Sequence, residues 1–227
     1  MPVFDHLVYW EDGFPRKGSE NMAHDQCLLE QIGEYPVLRV YDWCEPSVSF
    51  GYFHKLADVV QAYSFCDGTS MSYVRRWTGG GIVDHRIDLT YSLIIPRKFE
   101  LGHTRGSSSY HVIHRELCAV LRKLGQRVEV AKHERGYGSV CFDNPVMYDL
   151  MDQNGHKIAG AGQRRTKHGL LHQGSVVTNL QADVFGKEFA KQLASNIEEW
   201  RHNDSHGQRV GEIEAGRYAT ESWLMKR

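Results

Sequence analysis

A chain of 227 residues that is 41% hydrophobic and 11% aromatic can bury a sizeable core, which excludes a largely disordered protein. Its 27 basic and 28 acidic residues leave a formal net charge of −1, so nothing draws the whole molecule to nucleic acid or to an anionic membrane. No apolar run approaches the roughly 20 residues that span a bilayer, and the opening MPVFDHLVYWEDG lacks the charged-then-apolar order of a signal peptide. The length and these absences predict one cytoplasmic domain over residues 1–227.

In chain order, Phe4–Trp10 reads as a strand and Gly13–Gly18 as a polar turn. Ser19 is placed to cap a helix that runs to Ile32 and stops at Gly33. Val37–Trp43 and Ser47–Phe53 are β-rich runs parted by Glu45-Pro46, and Lys55–Tyr63 is a short helix. Ser72–Trp77 predicts a strand that delivers a glycine turn, and Leu89–Ile95 the strand that leaves it. Tyr110–Leu124 carries apolar residues at 113, 117, 120, 121 and 124, one helical face closed by Gly125. Val128–Ala131 is a brief strand, and Gly136–Asn144 a second glycine-bearing loop. Val146–Met151, Lys157–Gly162 and Leu170–Asn179 read as strands joined by short polar turns. Val184–Ile197 is amphipathic and predicts a helix packed on a sheet. Residues 202–211 read as a polar loop, and the last sixteen as a short helix or tail. Strands come in runs with helices between the runs, an α+β pattern with a mixed, largely antiparallel sheet. No GxGxxG fingerprint is present, which argues against a dinucleotide enzyme.

Cys27, Cys44, Cys66, Cys118 and Cys141 are odd in number and widely spaced, with no CxxC pair. Neither a disulfide framework nor a cysteine zinc site is expected. Among the 13 histidines, the pairs His111/His114 and His202/His206 lack the partner ligands of a metal site.

Two stretches carry the chemistry. Arg75–Ser92 reads RRWTGGGIVDHRIDLTYS. Its consecutive glycines Gly79, Gly80 and Gly81 let a ligand lie on the main chain, and successive backbone N–H groups in such a turn make an anion-binding concavity. Arg75 or Arg76 adds a charged fork. Lys157 opens KIAGAGQRR, where Ala159, Gly160, Ala161 and Gly162 give a sheet little to pack with unless another molecule approaches closely. The lysine would offer that molecule a compact charge, with Gln163, Arg164 and Arg165 donating nearby. His172 and Gly174, in HQGS on the next strand, fall close to Lys157 if the two strands form a hairpin. Cys141 sits in SVCFDNP between strands. A neighbouring cation would lower its thiol pKa from about 8.5, and Lys157 is the candidate cation, with His85 a proton acceptor. The alternative is an inert buried thiol, the reading for the other four cysteines.

RRWTGGGIVDHRIDLTYS, followed about 65 residues later by GHKIAGAGQRRTKHGLLHQGSV, resembles the lipoate–protein ligase and octanoyltransferase family. The match runs from about Asn21 to about Asn179. It implies the fold of the biotin/lipoate ligase catalytic domain, a mixed sheet flanked by helices. Family ligases activate lipoate with ATP, whereas the octanoyltransferases move a C8 acyl group from acyl carrier protein through a cysteine thioester, without ATP. VCFDNPVMYDL around Cys141 is similar to the cysteine-dependent transferases, and DLTYS (Asp88–Ser92) resembles their ELTYS. The chain also ends soon after the catalytic stretch, without the accessory domain many ligases carry. Gly81, where many of these transferases have arginine, resembles the ligases instead.

The resemblance therefore implies an acyltransferase that acylates a lysine of a lipoyl carrier domain. Cys141 and Lys157 would be catalytic. The substrate would be held by Arg76, Thr78, Gly79, Gly80, Gly81, His85, Gly160, Gly162, Gln163, His172 and Gly174. No metal or cofactor is expected, except ATP and magnesium if the chain is a ligase; a non-catalytic binder of acyl cargo is a third reading. Trp77, Ile82, Val83 and Leu93 are candidates to line an apolar slot. Arg75, Arg76, Arg164, Arg165 and Lys167 are candidates to steer an acidic carrier.

Overall fold

A computed structural model describes residues 2–63, 70–104, 106–132 and 146–226. The chain runs β1 (Phe4–Arg16), α1 (Gly18–Glu30), β2 (Val37–Trp43), β3 (Ser47–Phe50), α2 (Leu56–Tyr63), β4 (Ser72–Arg75), β5 (Ile82–Asp84) and β6 (Asp88–Pro96). It continues through α3 (Glu100–His103), α4 (Gly106–Lys123), β7 (Val128–Val130), β8 (Leu150–Asp152), β9 (Lys157–Arg165) and β10 (Gly169–Val177). Then come α5 (Ala182–Leu193), β11 (Ala194–Glu199), α6 (Asp204–Ile213), a π-helical turn (Glu214–Tyr218) and α7 (Glu221–Leu224). The main sheet has eight strands in the order β11-β1-β2-β6-β10-β9-β8-β7, and a small sheet has the order β4-β3-β5. In the main sheet β1 pairs in parallel with β11 and β2, while the other pairings are antiparallel. This is the expected α+β class with a mixed, largely antiparallel sheet.

The period of two in a strand sorts the residues into two faces. Leu38 and Val40 of β2, Tyr91, Leu93 and Ile95 of β6, and Leu170 and Val176 of β10 meet Leu117 and Leu121 of α4 and Phe185 and Phe189 of α5 in one buried core. The alternate residues face α1 and the small sheet, and many are polar: Arg39, Ser92, Gln173 and Ser175 are all buried there.

Four local expectations change. Residues 194–197, expected to be helical, leave the helix at Leu193, and β11 pairs with β1 from Phe4↔Ala194 to Tyr9↔Glu199. Covering an otherwise open strand edge outweighs the local amphipathic signal. The expected polar loop at 202–211 contains α6. Asn203 caps it by accepting from the His206 N–H at 2.8 Å, and His206, Val210 and Ile213 are buried at helical spacing. The expected turn at 13–18 is mostly strand, since β1 continues to Arg16. Ser19 does not cap α1; Lys17 stands at that position, and the Ser19 hydroxyl donates to Glu214 Oε1 at 2.6 Å. The loop at 136–144 lies outside the described residues. Among those described, no helix is long and apolar enough to cross a membrane, and no cluster of three ligand side chains could hold a metal.

A fully buried guanidinium fastens α1 to the sheet. Arg39 donates to Asp12 Oδ2 of β1 at 2.9 and 2.7 Å, to Asp25 Oδ1 of α1 at 2.9 Å and to Asn21 Oδ1 at 2.7 Å. The cation also lies 4.1 Å from the centre of the Tyr41 ring. Leaving any one of these charges buried alone costs about 3–5 kcal/mol.

Four buried histidines are held neutral by the same low-dielectric interior. Burial pushes His206 and His114 down to about 4, His24 down to about 2, and His172 well below its ordinary value. His24 Nδ1 and His206 Nε2 share a hydrogen bond of 3.1 Å between α1 and α6, which requires at least one of the two rings to be neutral. In the unfolded chain these rings titrate near 6.5. Between about 4 and 6.5 the unfolded state therefore binds more protons, and stability rises with pH across that window. The urea midpoint is expected to hold steady above about pH 6.5 and to fall on acidification towards pH 5; an unchanged midpoint between pH 7.5 and 5 would contradict this.

Candidate active site

Residues 76–81 form the turn that joins β4 to β5. The carbonyls of Thr78, Gly79, Gly80 and Gly81 are all engaged. Tyr52 N–H donates to Thr78 O at 2.9 Å and Gly51 N–H to Gly81 O at 3.1 Å, while the Arg76 guanidinium donates to Gly79 O at 3.3 Å and Gly81 O at 2.8 Å. His54 Nε2 lies 3.2 Å from Gly80 O, and Gly80 has φ +92°, a left-handed conformation that favours glycine. Among the described residues no acceptor engages the N–H groups of Gly79, Gly80 and Gly81. Unspent amides are what an anion-binding turn requires.

Strand β9 brings the lysine to this turn. By simple alternation Lys157 would share a face with Ala159 and Ala161, towards α4. A bulge against β8, where Leu150 pairs with Ala159 and Met151 with Lys157, redirects it. Its Nζ reaches Asp149 Oδ2 at 2.8 Å, with both side chains almost fully buried. The lysine lies over the backbone of Gly160, where a Cβ would stand 2.7 Å from Nζ and 2.6 Å from Cε. Asp149 is itself fixed: Tyr110 Oη donates to its Oδ1 at 2.5 Å and Val146 N–H to its Oδ2 at 2.8 Å. Two residues along, a Cβ on Gly162 would stand 2.4 Å from Gly79 O and 2.9 Å from Thr78 Oγ1. The glycines of β9 thus admit the lysine at one point and the glycine turn at the next.

Between them lies a narrow cleft that opens to solvent. Lys157, Gly160, Gly162, Gly174 and Gln173 line it from the main sheet, and Arg76, Gly81 and His85 from the small sheet and its turn. Met22, Tyr41, Trp43 and Val83 supply an apolar wall. Thr78 Oγ1 donates to Gln173 Oε1 at 2.7 Å, and Gln173 Nε2 donates to Asp25 Oδ2 at 2.7 Å. This chain ties the glycine turn to the buried network around Arg39.

Several expected residues stand elsewhere. His172 and Gln163 pair across β10 and β9 but face α4; Gln163 Nε2 lies 2.9 Å from His172 Nδ1, and Tyr91 Oη lies 3.1 Å from His172 Nε2. Neither lines the cleft. Arg75 is fully buried and donates to the carbonyls of Tyr52, His54, Trp223 and Leu224, so it braces the fold instead of meeting a partner. Arg76 is divided between the turn carbonyls and Ser49 Oγ. Arg164 and Arg165 are half-buried; Arg164 lies 4.4 Å from the centre of the Trp77 ring and Arg165 donates to Gln163 at 3.2 Å, while Lys167 is exposed. Of the four slot candidates only Val83 lines the cleft. Ile82 and Leu93 belong to buried cores, and Trp77 packs against Arg164 and Arg217. Asp149, Met22, Tyr41 and Trp43 were missed. Only Asp149, in the YDL after Cys141, carried a local signal. Cys141 lies outside the described residues. Near the ends of that stretch Ala131 N–H donates to Asp149 O at 2.7 Å and Val146 N–H to its carboxylate, so both flanks meet at the partner of Lys157.

The cleft brings together a buried lysine, a glycine turn and an apolar wall, and comparison with known proteins supplies the family. Residues 17–217 match the family model of the lipoyl protein ligase A/B catalytic domain. The chain belongs to that family. The octanoyltransferase LipM of Carboxydothermus hydrogenoformans is 35% identical over 175 residues, covering 73% of this chain and 63% of that protein. LipM of Staphylococcus aureus is 34% identical over 175 residues, covering 72% and 63%. The chain thus spans a little under two thirds of the length of these relatives. Among solved structures, protein Ta0514 of T. acidophilum superposes with a TM-score of 0.78 at 21% identity, covering 99% of this chain and all of that one. Lipoate-protein ligase A bound with ATP gives 0.75 at 20% identity, covering 98% of each. The fold is that of the lipoate ligase catalytic domain.

The close approach at Gly162 is directly testable. Gly162→Ala drives a methyl group into Gly79 O and Thr78, so the turn must shift, at a cost of about 1–3 kcal/mol for overpacking. A lower urea midpoint with a retained far-UV spectrum is expected. An unchanged midpoint would show that the turn is not seated on β9.

Proposed function

We propose that the chain is a single catalytic domain that transfers an octanoyl (lipoyl) group from acyl carrier protein to a lysine of a lipoyl carrier domain in the cytoplasm. The observation that carries this reading is Lys157, buried over Gly160 beside an apolar cleft, in a family whose LipM members are named octanoyltransferases. Cys141 attacks the donor thioester and takes the acyl group, releasing the carrier thiol; the acceptor lysine then attacks the new thioester and leaves with the acyl group as an amide. The Lys157 cation and the unspent amides of Gly79–Gly81 meet the charge that develops on the carbonyl oxygen. Asp149 keeps the ammonium in place between turnovers. Met22, Tyr41, Trp43 and Val83 offer an apolar wall to the acyl chain. At about 0.8 kcal/mol per buried CH₂, six methylenes contribute about 5 kcal/mol, enough to set the preference for chain length. A thioester is already activated, so this route needs neither ATP nor a metal.

The triple glycine, which resembles the ligases, supports a second reading: an ATP-dependent lipoate ligase that uses the same cleft, with ATP and magnesium. Incubation with octanoyl-acyl carrier protein should add one octanoyl group by intact mass, and Cys141→Ala should abolish the adduct. Pyrophosphate release from free lipoate and ATP, with no adduct, would identify the ligase instead.

A further inference from the structure

One wall of the cleft carries a hydrogen-bonded chain that the proposed transfer has not used. His85 Nδ1 lies 2.9 Å from Asp88 Oδ2, and His85 Nε2 lies 2.6 Å from Ser49 Oγ. Ser49 Oγ accepts from the Arg76 guanidinium at 2.7 Å. The imidazole is clamped flat on the Trp43 indole, with ring centres 3.9 Å apart and planes 18° from parallel. Ser49, His85 and Arg76 all line the cleft.

The donors and acceptors settle the tautomer. Asp88 Oδ2 also accepts from Ser175 Oγ at 2.5 Å and from Thr90 Oγ1 at 3.2 Å, and a carboxylate oxygen with three donors acts only as an acceptor. His85 therefore carries its proton on Nδ1. Arg76 can only donate, so it fills one lone pair of Ser49 Oγ, and the serine O–H is free to donate to Nε2 at 2.6 Å. The imidazole thus presents Nε2 towards the cleft through one hydroxyl, with its far side anchored by a carboxylate.

From this geometry we infer that Ser49, His85 and Asp88 form the proton relay that deprotonates the attacking amine of the acceptor lysine. The inference rests on the transferase reading. As the amine nitrogen bonds to the thioester carbonyl, the carbon–sulfur bond breaks and sulfur leaves as thiolate. The amine gives a proton to Ser49 Oγ while the serine proton passes to His85 Nε2, and the imidazolium releases it to solvent, so the freed thiolate can load again without the relay. Arg76 stabilises the negative charge that develops on Ser49 Oγ during the exchange. Asp88 is a positioning residue: it fixes the tautomer and faces the imidazolium. The charged groups around His85 are Asp88 on β6 and, through Ser49, Arg76 after β4; the Lys157–Asp149 pair shares the cleft.

Positioned general bases contribute roughly 10²–10⁴-fold, and the acid limb of their pH profile reports the base. The test separates the two half-reactions. Octanoyl-acyl carrier protein loads the enzyme, read by intact mass, and a purified lipoyl domain then accepts the group across pH 5.5 to 9. His85→Gln is expected to load within about threefold of wild type but to transfer about 100-fold more slowly at pH 7, without the acid limb seen in wild type. Ser49→Ala, which removes only the bridging hydroxyl, should load normally and transfer at least about tenfold more slowly; it also guards against misfolding in the histidine variant. Transfer within threefold of wild type in both variants, with the acid limb intact, would overturn the relay. Loss of loading in parallel with transfer would overturn it too, by placing His85 at the first step. A wild-type enzyme that never forms the adduct would remove the transferase reading itself, and the relay with it.

Discussion

The Asp25 carboxylate is the contact through which the core reaches the site. It pairs with the fully buried Arg39 and accepts from Tyr41, Ser92 and Gln173, drawing together α1, β2, β6 and β10. Gln173 spends its other end on Thr78, at the head of the glycine turn. A buried charge of this kind is tolerated only when its whole hydrogen-bonding capacity is met. The network therefore has little freedom to change one partner without disturbing the rest. The turn is thereby tied to a carboxylate two hydrogen bonds away, through Gln173.

This constraint explains the uneven division of the sheet. The face towards α4 and α5 is packed with leucine, isoleucine and phenylalanine and supplies the apolar burial. The opposite face gives up side-chain volume at Gly160, Gly162 and Gly174 and carries polar groups at Thr90, Ser92, Gln173 and Ser175. The cleft exists because the residues there are too small to fill it. Bulky neighbours from α1 and β2 then make part of that space apolar, so one cleft offers a charged end near Lys157 and an apolar wall at Met22, Tyr41 and Trp43.

Two stretches remote in sequence meet in the cleft without exchanging charge: the turn presents amides and β9 presents an ammonium. Each is neutralised or braced from behind, the ammonium by Asp149 and the turn by Arg76. Such preorganisation means that little reorientation is needed when charge develops on a bound carbonyl.

Much of this was legible in the residues alone. The triple glycine, the KIAGAG strand and the strand–helix order specify the class of fold and the two elements that meet, because glycine content and hydrophobic period act over a few residues. His172 and Gln163 show where that reasoning ends. The expected hairpin is there, but its register sets His172 opposite Gln163, six residues along β9 from Lys157. A bulge opposite β8 also turns the lysine to the other face of the sheet. The strand at Ala194–Glu199 and the helix at Asp204–Ile213 were likewise decided by what each packs against: the open edge of β1 for the first, and α1 through the His24–His206 contact for the second. The sequence by itself determined the backbone chemistry of the turn and of β9. Only the tertiary structure decided which side chains enter the cleft, because burial, strand-edge pairing and the demands of buried charges depend on partners far away in the chain.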